Sequence, residues 1–189
     1  MSWEPVDDNG TIRLKMQNGW TANHSFVSSY TAGQYKLNAI TINWGDGSNS
    51  GQTIDLKVLS RDNTANDTIT EMGDNSSSLW TLGWEYQYSS PGTYVVSWGS
   101  SSRETTENMG SGKPWLNKTT ITPYFSASNT TNTSPVSAVP SRVQVQDNTT
   151  FSYQVGATDA DGDSLNFRWG TYAEFFASSG TYTKPTGMT

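Results

Sequence analysis

The sequence is an acidic chain of 189 residues with a formal net charge of −6, no cysteine and one histidine, His24. The lack of cysteine excludes disulfides and thiolate metal sites, and a single histidine excludes a zinc site built from two or three histidines of one chain. The negative charge argues against nucleic acid as a partner, because phosphate recognition depends on clustered Lys and Arg. Apolar runs are too short for a membrane-spanning helix, so membrane insertion is not expected.

The composition points to strands. Eight Trp, nine Tyr and many Ser and Thr favour β structure, whereas the residues that fill helices are sparse. Short alternating runs separated by frequent turn signals are typical of β-sandwiches. We therefore predict an all-β fold with almost no helix, made of two tandem Ig-like β-sandwich domains.

The first half of the chain contains three clear strand patterns. Residues 11–16 alternate, with Ile12, Leu14 and Met16 facing inward, and the dipeptide Asn18-Gly19 is expected to close this strand with a turn. Residues 39–44 form the next strand and lead into a Gly-Asp-Gly turn. Residues 53–59 then alternate again, which predicts a third half-buried strand.

The stretch from residue 60 to residue 125 mixes polar and aromatic segments. Residues 60–78 are polar and are expected to form a long surface excursion with one short strand. The aromatic run 79–98 predicts two strands around a Pro-Gly turn, either as a hairpin or as a corner between sheets. Residues 118–125 are expected to close the first unit.

A change in composition predicts the domain boundary. The chain around residues 128–136 consists mainly of Asn, Thr, Ser and Pro, which cannot sustain a core and is typical of a linker. We predict a first domain over residues 1–127 and a second over residues 137–189. In the second, residues 142–146, 150–155 and 164–169 are expected to be strands, the last two flanking an acidic turn.

Two stretches of the first unit resemble the PKD domain. Residues 42–48 read Ile-Asn-Trp-Gly-Asp-Gly-Ser, and residues 86–96 read Tyr-Gln-Tyr-Ser-Ser-Pro-Gly-Thr-Tyr-Val-Val. The family carries a W-x-F-G-D-G turn early and an H-x-Y-x-x-P-G-x-Y-x-V motif late. This chain departs from it at Ile42, Trp44 and Tyr86, where the family has Trp, Phe and His, and in a long insertion between the motifs. The resemblance implies a decorated PKD-like sandwich.

The second unit resembles the cadherin-like and Ig-like repeats of bacterial surface proteins. Residues 151–155 read Phe-Ser-Tyr-Gln-Val, residues 157–167 read Ala-Thr-Asp-Ala-Asp-Gly-Asp-Ser-Leu-Asn-Phe, and residues 184–189 read Lys-Pro-Thr-Gly-Met-Thr. The resemblance covers about residues 134–189 and implies that this repeat is cut off before its closing strands. Such an open edge would accept a strand from a neighbouring copy.

The acidic turn is the candidate metal site. Asp159, Asp161 and Asp163 alternate as the first three ligands of an EF-hand loop do, and carboxylates suit Ca2+. The loop is not an EF-hand, because its glycine comes too early and Gly170 stands where the last carboxylate should be. The resemblance favours calcium, and the alternative is a plain Asp-Gly turn. Asp46, between two glycines, is interpreted as a turn residue.

Aromatic side chains are the other candidate contacts. Trp115, beside Pro114 in an expected loop, is the candidate glycan contact, whereas most other Trp residues are expected to be core anchors. Catalytic residues are not predicted: His24 has no G-x-S-x-G elbow to serve, and sequence alone cannot pair two carboxylates across a cleft as a glycosidase requires. No cofactor-binding residue is predicted either, apart from the Ca2+ ligands.

The chain also carries eight Asn-x-Ser/Thr patterns, which would be glycosylated only after passage through a eukaryotic secretory pathway. These candidate glycosylation sites are Asn9, Asn23, Asn66, Asn75, Asn117, Asn129, Asn132 and Asn148.

Together these features predict a non-enzymatic structural or adhesive module of a secreted or cell-surface protein. It would act as a spacer or stalk, stiffened by calcium, with neighbouring repeats or copies of itself as partners. Two alternatives remain open. One is a carbohydrate-binding module of a secreted enzyme, with surface glycans as partners, and the other is a filament subunit that assembles by strand addition.

Overall fold

The computed structural model describes residues 1–48, 52–77, 79–101, 114–143, 145–146 and 149–176. Within them the regular structure is almost entirely β, as the sequence predicts. The elements are β1 (Ser2–Pro5), β2 (Thr11–Lys15), β3 (Gln17–Trp20), β4 (Tyr35–Thr41), β5 (Thr53–Asp62), β6 (Asp67–Asp74), β7 (Thr81–Leu82), β8 (Trp84–Gln87), β9 (Tyr94–Ser100), β10 (Trp115–Ile121), β11 (Val136–Ser137), β12 (Ala157–Thr158) and α1 (Tyr172–Phe176).

The strands form antiparallel sheets that face a common core. One sheet has the order β1-β2-β8, and another has the order β3-β6-β5-β4 with β7 paired to β6. Strands β9 and β10 pair with each other over their full length. The alternating residues predicted in β2 and β5 are buried as expected, because each strand turns one apolar face inward.

A single hydrophobic cluster joins these sheets in a sandwich-like arrangement. Its members come from strands and from the turns that connect them. They are Trp3, Ile12, Leu14, Met16, Ile40, Ile42, Trp44, Ile54, Leu56, Met72, Tyr88, Val96, Trp98 and Ile121.

The turn predicted at Asn18-Gly19 is wrong, because these residues lie within β3. The chain runs from β2 to β3 through Met16 and passes from one sheet to the other without reversing. Asn18 pairs with Thr70 and Gly19 pairs with Ile69 on β6. A dipeptide that favours turns is held in a strand here because both flanking segments have pairing partners.

The surface excursion predicted for residues 60–78 is also wrong. Strands β5 and β6 form a long hairpin, and β6 lies in the middle of its sheet between β3 and β5. Thr68, Thr70 and Met72 are buried there. Threonine is polar in composition but β-branched, so its shape suits a buried strand.

The aromatic region folds as a corner between sheets. Strand β8 pairs with β2, whereas β9 pairs with β10. Of the two arrangements that the Pro-Gly turn allowed, the hairpin is therefore excluded. The closing strand of the first unit, β10, begins at Trp115, earlier than the predicted residue 118.

The segment predicted as a linker is attached to the first sheet. The backbone amide of Trp3 donates to Ser134 Oγ at 2.7 Å, and the amide of Ser134 donates to the carbonyl of Trp3 at 3.0 Å. Asn129 closes the turn before it, accepting from the amide of Phe125 and donating to the carbonyl of Pro123. The division into two domains stays a prediction.

The strands predicted over residues 150–155 and 164–169 are wrong, as is that over 142–146 for the residues described there. The described residues of these segments have no regular secondary structure, and their large side chains are exposed: Phe151, Tyr153, Val155, Phe167 and Trp169 lie between 41% and 57% accessible. In the described part of this unit, only β11 and β12 pair. Alternation makes a strand only when a partner strand is available, which is why the pattern alone misled. The run 184–189 lies outside the described residues.

One short helix, α1, was not expected. It begins after Thr171, and Thr171 and Glu174 form a capping box in which each side chain reaches the other's backbone amide. A bidentate ion pair from Arg168, helped by the amide of Thr171, lowers the pKa of Glu174. The spacing Thr-x-x-Glu was the available signal. No helix within the described ranges is long and apolar enough to cross a membrane.

Candidate functional site

The two PKD-like stretches meet in the structure as a packed turn. Asp46 accepts hydrogen bonds from the hydroxyl of Tyr86 at 2.6 Å and from the hydroxyl and amide of Ser48. Tyr88 donates its hydroxyl to the carbonyl of Trp44 at 3.0 Å. The rings of Trp44 and Tyr86 stack with centroids 4.1 Å apart and planes 7° from parallel. The interpretation of Asp46 as a turn residue is confirmed.

The titration of this cluster fits a structural role. Burial works against ionisation of Asp46, but hydrogen bonds from Ser48 and Tyr86 outweigh it, so its pKa lies below the ordinary value. Burial raises the pKa of Tyr88, whose side chain is only 1% exposed. Both groups are therefore held in one protonation state near neutral pH.

The raised pKa of Tyr88 predicts a loss of stability in alkali. A group whose pKa is higher in the folded state contributes stability that is intact below the unfolded value, about 10 for tyrosine, and is lost as the pH rises beyond it. Tyr88→Phe should cost about 1 kcal/mol at neutral pH by removing the bond to Trp44, and should flatten the alkaline decline. Urea unfolding at neutral pH and at about pH 11 measures both. With Tyr153→Phe as the exposed control, an unchanged alkaline slope in Tyr88→Phe would contradict this account.

The acidic turn has the hydrogen bonds of a capped turn. Asp159 Oδ1 accepts from the amides of Asp161 and Asp163 at 3.0 and 3.2 Å. Asp161 Oδ2 accepts from the amide and hydroxyl of Thr133, which lowers the pKa of Asp161. Gly162 adopts a positive φ of 80°. Across the described residues, no group of three or more His, Cys, Asp or Glu is arranged to hold a metal ion. Calcium binding at Asp159, Asp161 and Asp163 stays a prediction.

Trp115 lies in a different setting from the one expected. It is the first residue of β10, not part of a loop, and it is half-buried. Its ring packs edge-on against Trp98, with centroids 4.6 Å apart and planes at 81°. Trp98 in turn contacts Trp20 edge-on at 6.2 Å. Trp98 therefore contacts two half-buried tryptophans, Trp20 and Trp115.

These two tryptophans line a groove of about 460 Å³, called the aromatic groove below. Its wall combines aromatic rings with amide, hydroxyl and guanidinium groups. The lining residues are Met1, Gln17, Asn18, Gly19, Trp20, Thr21, His24, Trp115, Asn117, Ser141 and Arg142.

The rings on the β3 side of the groove are fixed by specific contacts. Trp20 Nε1 donates to Thr70 Oγ1 at 2.9 Å, and its ring packs against those of Phe26 and His24 at 4.9 and 5.2 Å. His24 Nδ1 accepts from the amide of Phe26 at 3.2 Å, so in the neutral ring the hydrogen is on Nε2. The groove is thus pre-shaped before any ligand arrives.

Polar groups along the groove include one that lacks a partner. Asn18 is 8% exposed, and its Nδ2 makes no hydrogen bond within the described residues. A buried amide donor without an acceptor costs about 1–3 kcal/mol. Arg142 closes one end, because its guanidinium donates to the carbonyls of Trp20 and Asn66 and pairs with Asp67 at 3.6 Å.

The sequence identified Trp115 but not Trp20, Asn18, His24 or Arg142 as neighbours of one site. Asn18 was assigned to a turn and His24 was considered only as a catalytic base. Trp20 and Trp115 are separated by about half of the chain, and the pairing of β3 with β6 and of β9 with β10 helps to bring them to one surface. The high tryptophan content was the available signal.

The candidate glycosylation sites differ in accessibility. Asn9, Asn23, Asn66 and Asn132 are exposed, Asn75 and Asn117 are half-buried, and Asn148 lies outside the described residues. Asn129 uses both its side-chain oxygen and nitrogen within its own turn, so a glycan on Nδ2 would displace the bond to Pro123. Asn117 lines the aromatic groove, so a glycan there would occupy it.

Comparisons of the chain with protein-family models, with curated proteins and with solved structures give no match. The PKD-like and cadherin-like resemblances therefore stay predictions, and function has to be argued from the site itself.

Proposed function

We propose that this chain is a non-enzymatic glycan-binding β-module of a secreted or cell-surface protein, and that the aromatic groove is its ligand site. The observation that carries the proposal is the placement of Trp20 and Trp115 in one groove with several amide side chains. The proposed function combines two of the roles considered from the sequence, carbohydrate binding and adhesion outside the cell.

The chemistry of the groove suits a sugar. A pyranose ring has apolar C–H faces, which pack on aromatic rings, and hydroxyl edges, which both donate and accept hydrogen bonds. Gln17 and Asn117 each offer a donor and an acceptor from a single side chain. The volume of about 460 Å³ falls within the roughly 300–1,000 Å³ of small-molecule sites, and few polar groups among aromatic walls are typical of them.

Binding is favoured over cleavage because carboxylates are missing from the described lining of the groove. Hydrolysis of a glycosidic bond uses a pair of Asp or Glu residues on either side of the bond. Asp67, which lies beside the lining residue Arg142, is paired with it at 3.6 Å. The groove therefore has groups to hold and orient a sugar but lacks this pair.

The wider role follows from the same proposal. A glycan-binding module within a larger surface protein would serve adhesion, and the resemblance to surface repeats is consistent with that setting. Assembly by strand addition stays a prediction that rests on the resemblance to a repeat cut off before its closing strands, which would leave an open sheet edge. Size measurements at increasing protein concentration would separate a monomeric module from a self-assembling one.

The proposal predicts that Trp115→Ala strongly weakens glycan binding. Loss of a central aromatic contact of this kind costs about 2 kcal/mol or more of binding free energy, so affinity should fall about thirtyfold. Protein made in a bacterial host, so that Asn117 is unmodified, would be screened on an array of immobilised glycans. Asn117→Ala should weaken the same interactions with less disturbance of the fold.

Trp169→Ala is the matched control, because Trp169 is 49% exposed and lies outside the groove lining. It should bind as the native protein does. Failure of the native protein to bind any glycan, or equal loss in Trp115→Ala and Trp169→Ala, would contradict the proposal. Binding of peptides alone would assign the groove to a different class of partner.

A further inference from the structure

A second cleft adjoins the aromatic groove at Trp20 and His24. Its volume is also about 460 Å³, and these two side chains line both spaces. The other walls of the second cleft come from Phe26 and from the ends of β4 and β9. A ligand that follows the surface past Trp20 therefore passes from one cleft into the other.

The second cleft has the same chemical character as the groove. Phe26 and Trp98 supply aromatic surface, while the exposed side chains of Thr41, Asn43 and Ser100 supply hydroxyl and amide groups. Its described lining contains no Asp, Glu, Lys or Arg. A neutral ligand with an apolar face and hydroxyl edges fits this lining, beside which the Lys36 ammonium lies 4.6 Å from the centre of the Phe26 ring.

The residues that join the two clefts are held in place. Asn43 and Ser97 exchange two backbone hydrogen bonds, of 3.0 and 2.9 Å, which tie the chain after β4 to β9. Trp20 is fixed by its bond to Thr70, and His24 by its contact with Phe26. Pre-organised surfaces of this kind lose little side-chain entropy when a ligand is bound.

We propose that the two clefts are adjoining subsites for one linear, neutral oligosaccharide, which crosses Trp20 and His24. Each cleft alone is large enough for one small ligand. A disaccharide fills one of them, whereas a longer chain contacts both and gains affinity from the second. This inference rests on the proposed glycan-binding function and specifies the class of ligand.

The test is the dependence of affinity on chain length. Calorimetric titrations would use disaccharides and hexasaccharides of four neutral series: β-linked gluco-, manno-, xylo- and galacto-oligosaccharides. In the series that binds, the hexasaccharide should bind at least about tenfold more tightly than the disaccharide. Equal affinities per molecule would overturn the inference while leaving glycan binding intact.

Two blocking variants locate the subsites. Gln17→Arg fills the aromatic groove and Thr41→Arg fills the second cleft, and both positions are exposed ends of strands. The hexasaccharide should lose about tenfold in affinity with either variant, and the disaccharide with only one of them. An unchanged hexasaccharide affinity in Thr41→Arg, with an unchanged melting temperature, would overturn the two-subsite arrangement. If no series binds the native protein, the proposed function fails and the inference falls with it.

Discussion

Gly45→Ala should destabilise the protein by about 3 kcal/mol or more, whereas Gly47→Ala should cost about 1 kcal/mol. Both glycines have a φ of 80°, so an alanine at either position meets the same backbone strain. At Gly45 a Cβ atom would also lie 2.5 Å from the carbonyl oxygen of Val95, and backbone cannot rotate away as a side chain can. At Gly47 a Cβ atom meets nothing within 4 Å.

Comparison of Gly45→Ala with Gly47→Ala separates the cost of a steric clash from the cost of backbone strain. At Gly45 the turn between Trp44 and Ser48 packs directly against β9. The clash of an alanine Cβ with Val95 can therefore be relieved only if the turn and the strand move apart. Free energies of unfolding from urea titration give both values on the same protein. Equal losses in the two variants would mean that the turn does not pack on β9 as described.

Trp98→Ala should cost about 3–5 kcal/mol, the range found when a large buried aromatic is truncated. Trp98 is 8% exposed and belongs to the main hydrophobic cluster. Its ring also contacts the rings of both Trp20 and Trp115 and so helps to position them. The variant should therefore lose glycan binding as well as stability, even under conditions in which it remains folded.

Trp98→Phe serves as the control for that result. A phenylalanine ring keeps part of the support and leaves a smaller cavity, so both stability and binding should fall by less than in Trp98→Ala. Thermal unfolding and glycan titration on the two variants provide the comparison. A Trp98→Ala protein that unfolds at the native temperature would exclude Trp98 as the common support.

The strands predicted correctly from the sequence are those that both alternate apolar with polar residues and have partner strands in the fold. Strands β2 and β5 alternate apolar and polar residues and also have partners on both sides, so Ile12 and Ile54 are fully buried as expected. The same alternation at Phe151 and Val155 produced no strand, because no described segment pairs with it. Local pattern specifies which face is apolar, while tertiary pairing decides whether a strand forms.

The PKD-like turn was predictable in its local details. Glycines at positions 45 and 47 and the acid between them indicated a tight turn capped by Asp46, and both glycines have positive φ. The packing of Tyr86 on Trp44 was not predictable from spacing, since the two lie on separate segments. The burial of β6 was missed because its threonines look polar, although their branched shape suits a strand.

In the sequence, the main indication of the candidate site was the amino-acid composition. Many tryptophans favoured aromatic contact with a ligand, and Trp115 was identified as one such contact, but the wrong local structure was expected for it. Trp20 joins it because β3 extends β2 into the second sheet, a switch that no local motif indicated. Asn18 became a groove residue for the same reason. Sites assembled from distant strands require the fold before they can be recognised.

The most direct test of glycan binding at the aromatic groove is a set of heteronuclear NMR spectra recorded during a titration with the best ligand from the array. The chain has eight tryptophans, and each indole N–H gives its own signal. We predict that the signals of Trp20 and Trp115 shift with added ligand, while those of Trp80 and Trp169, outside both clefts, do not. Shifts confined to Trp169 or Trp80, with Trp20 and Trp115 unchanged, would contradict the assignment of the groove.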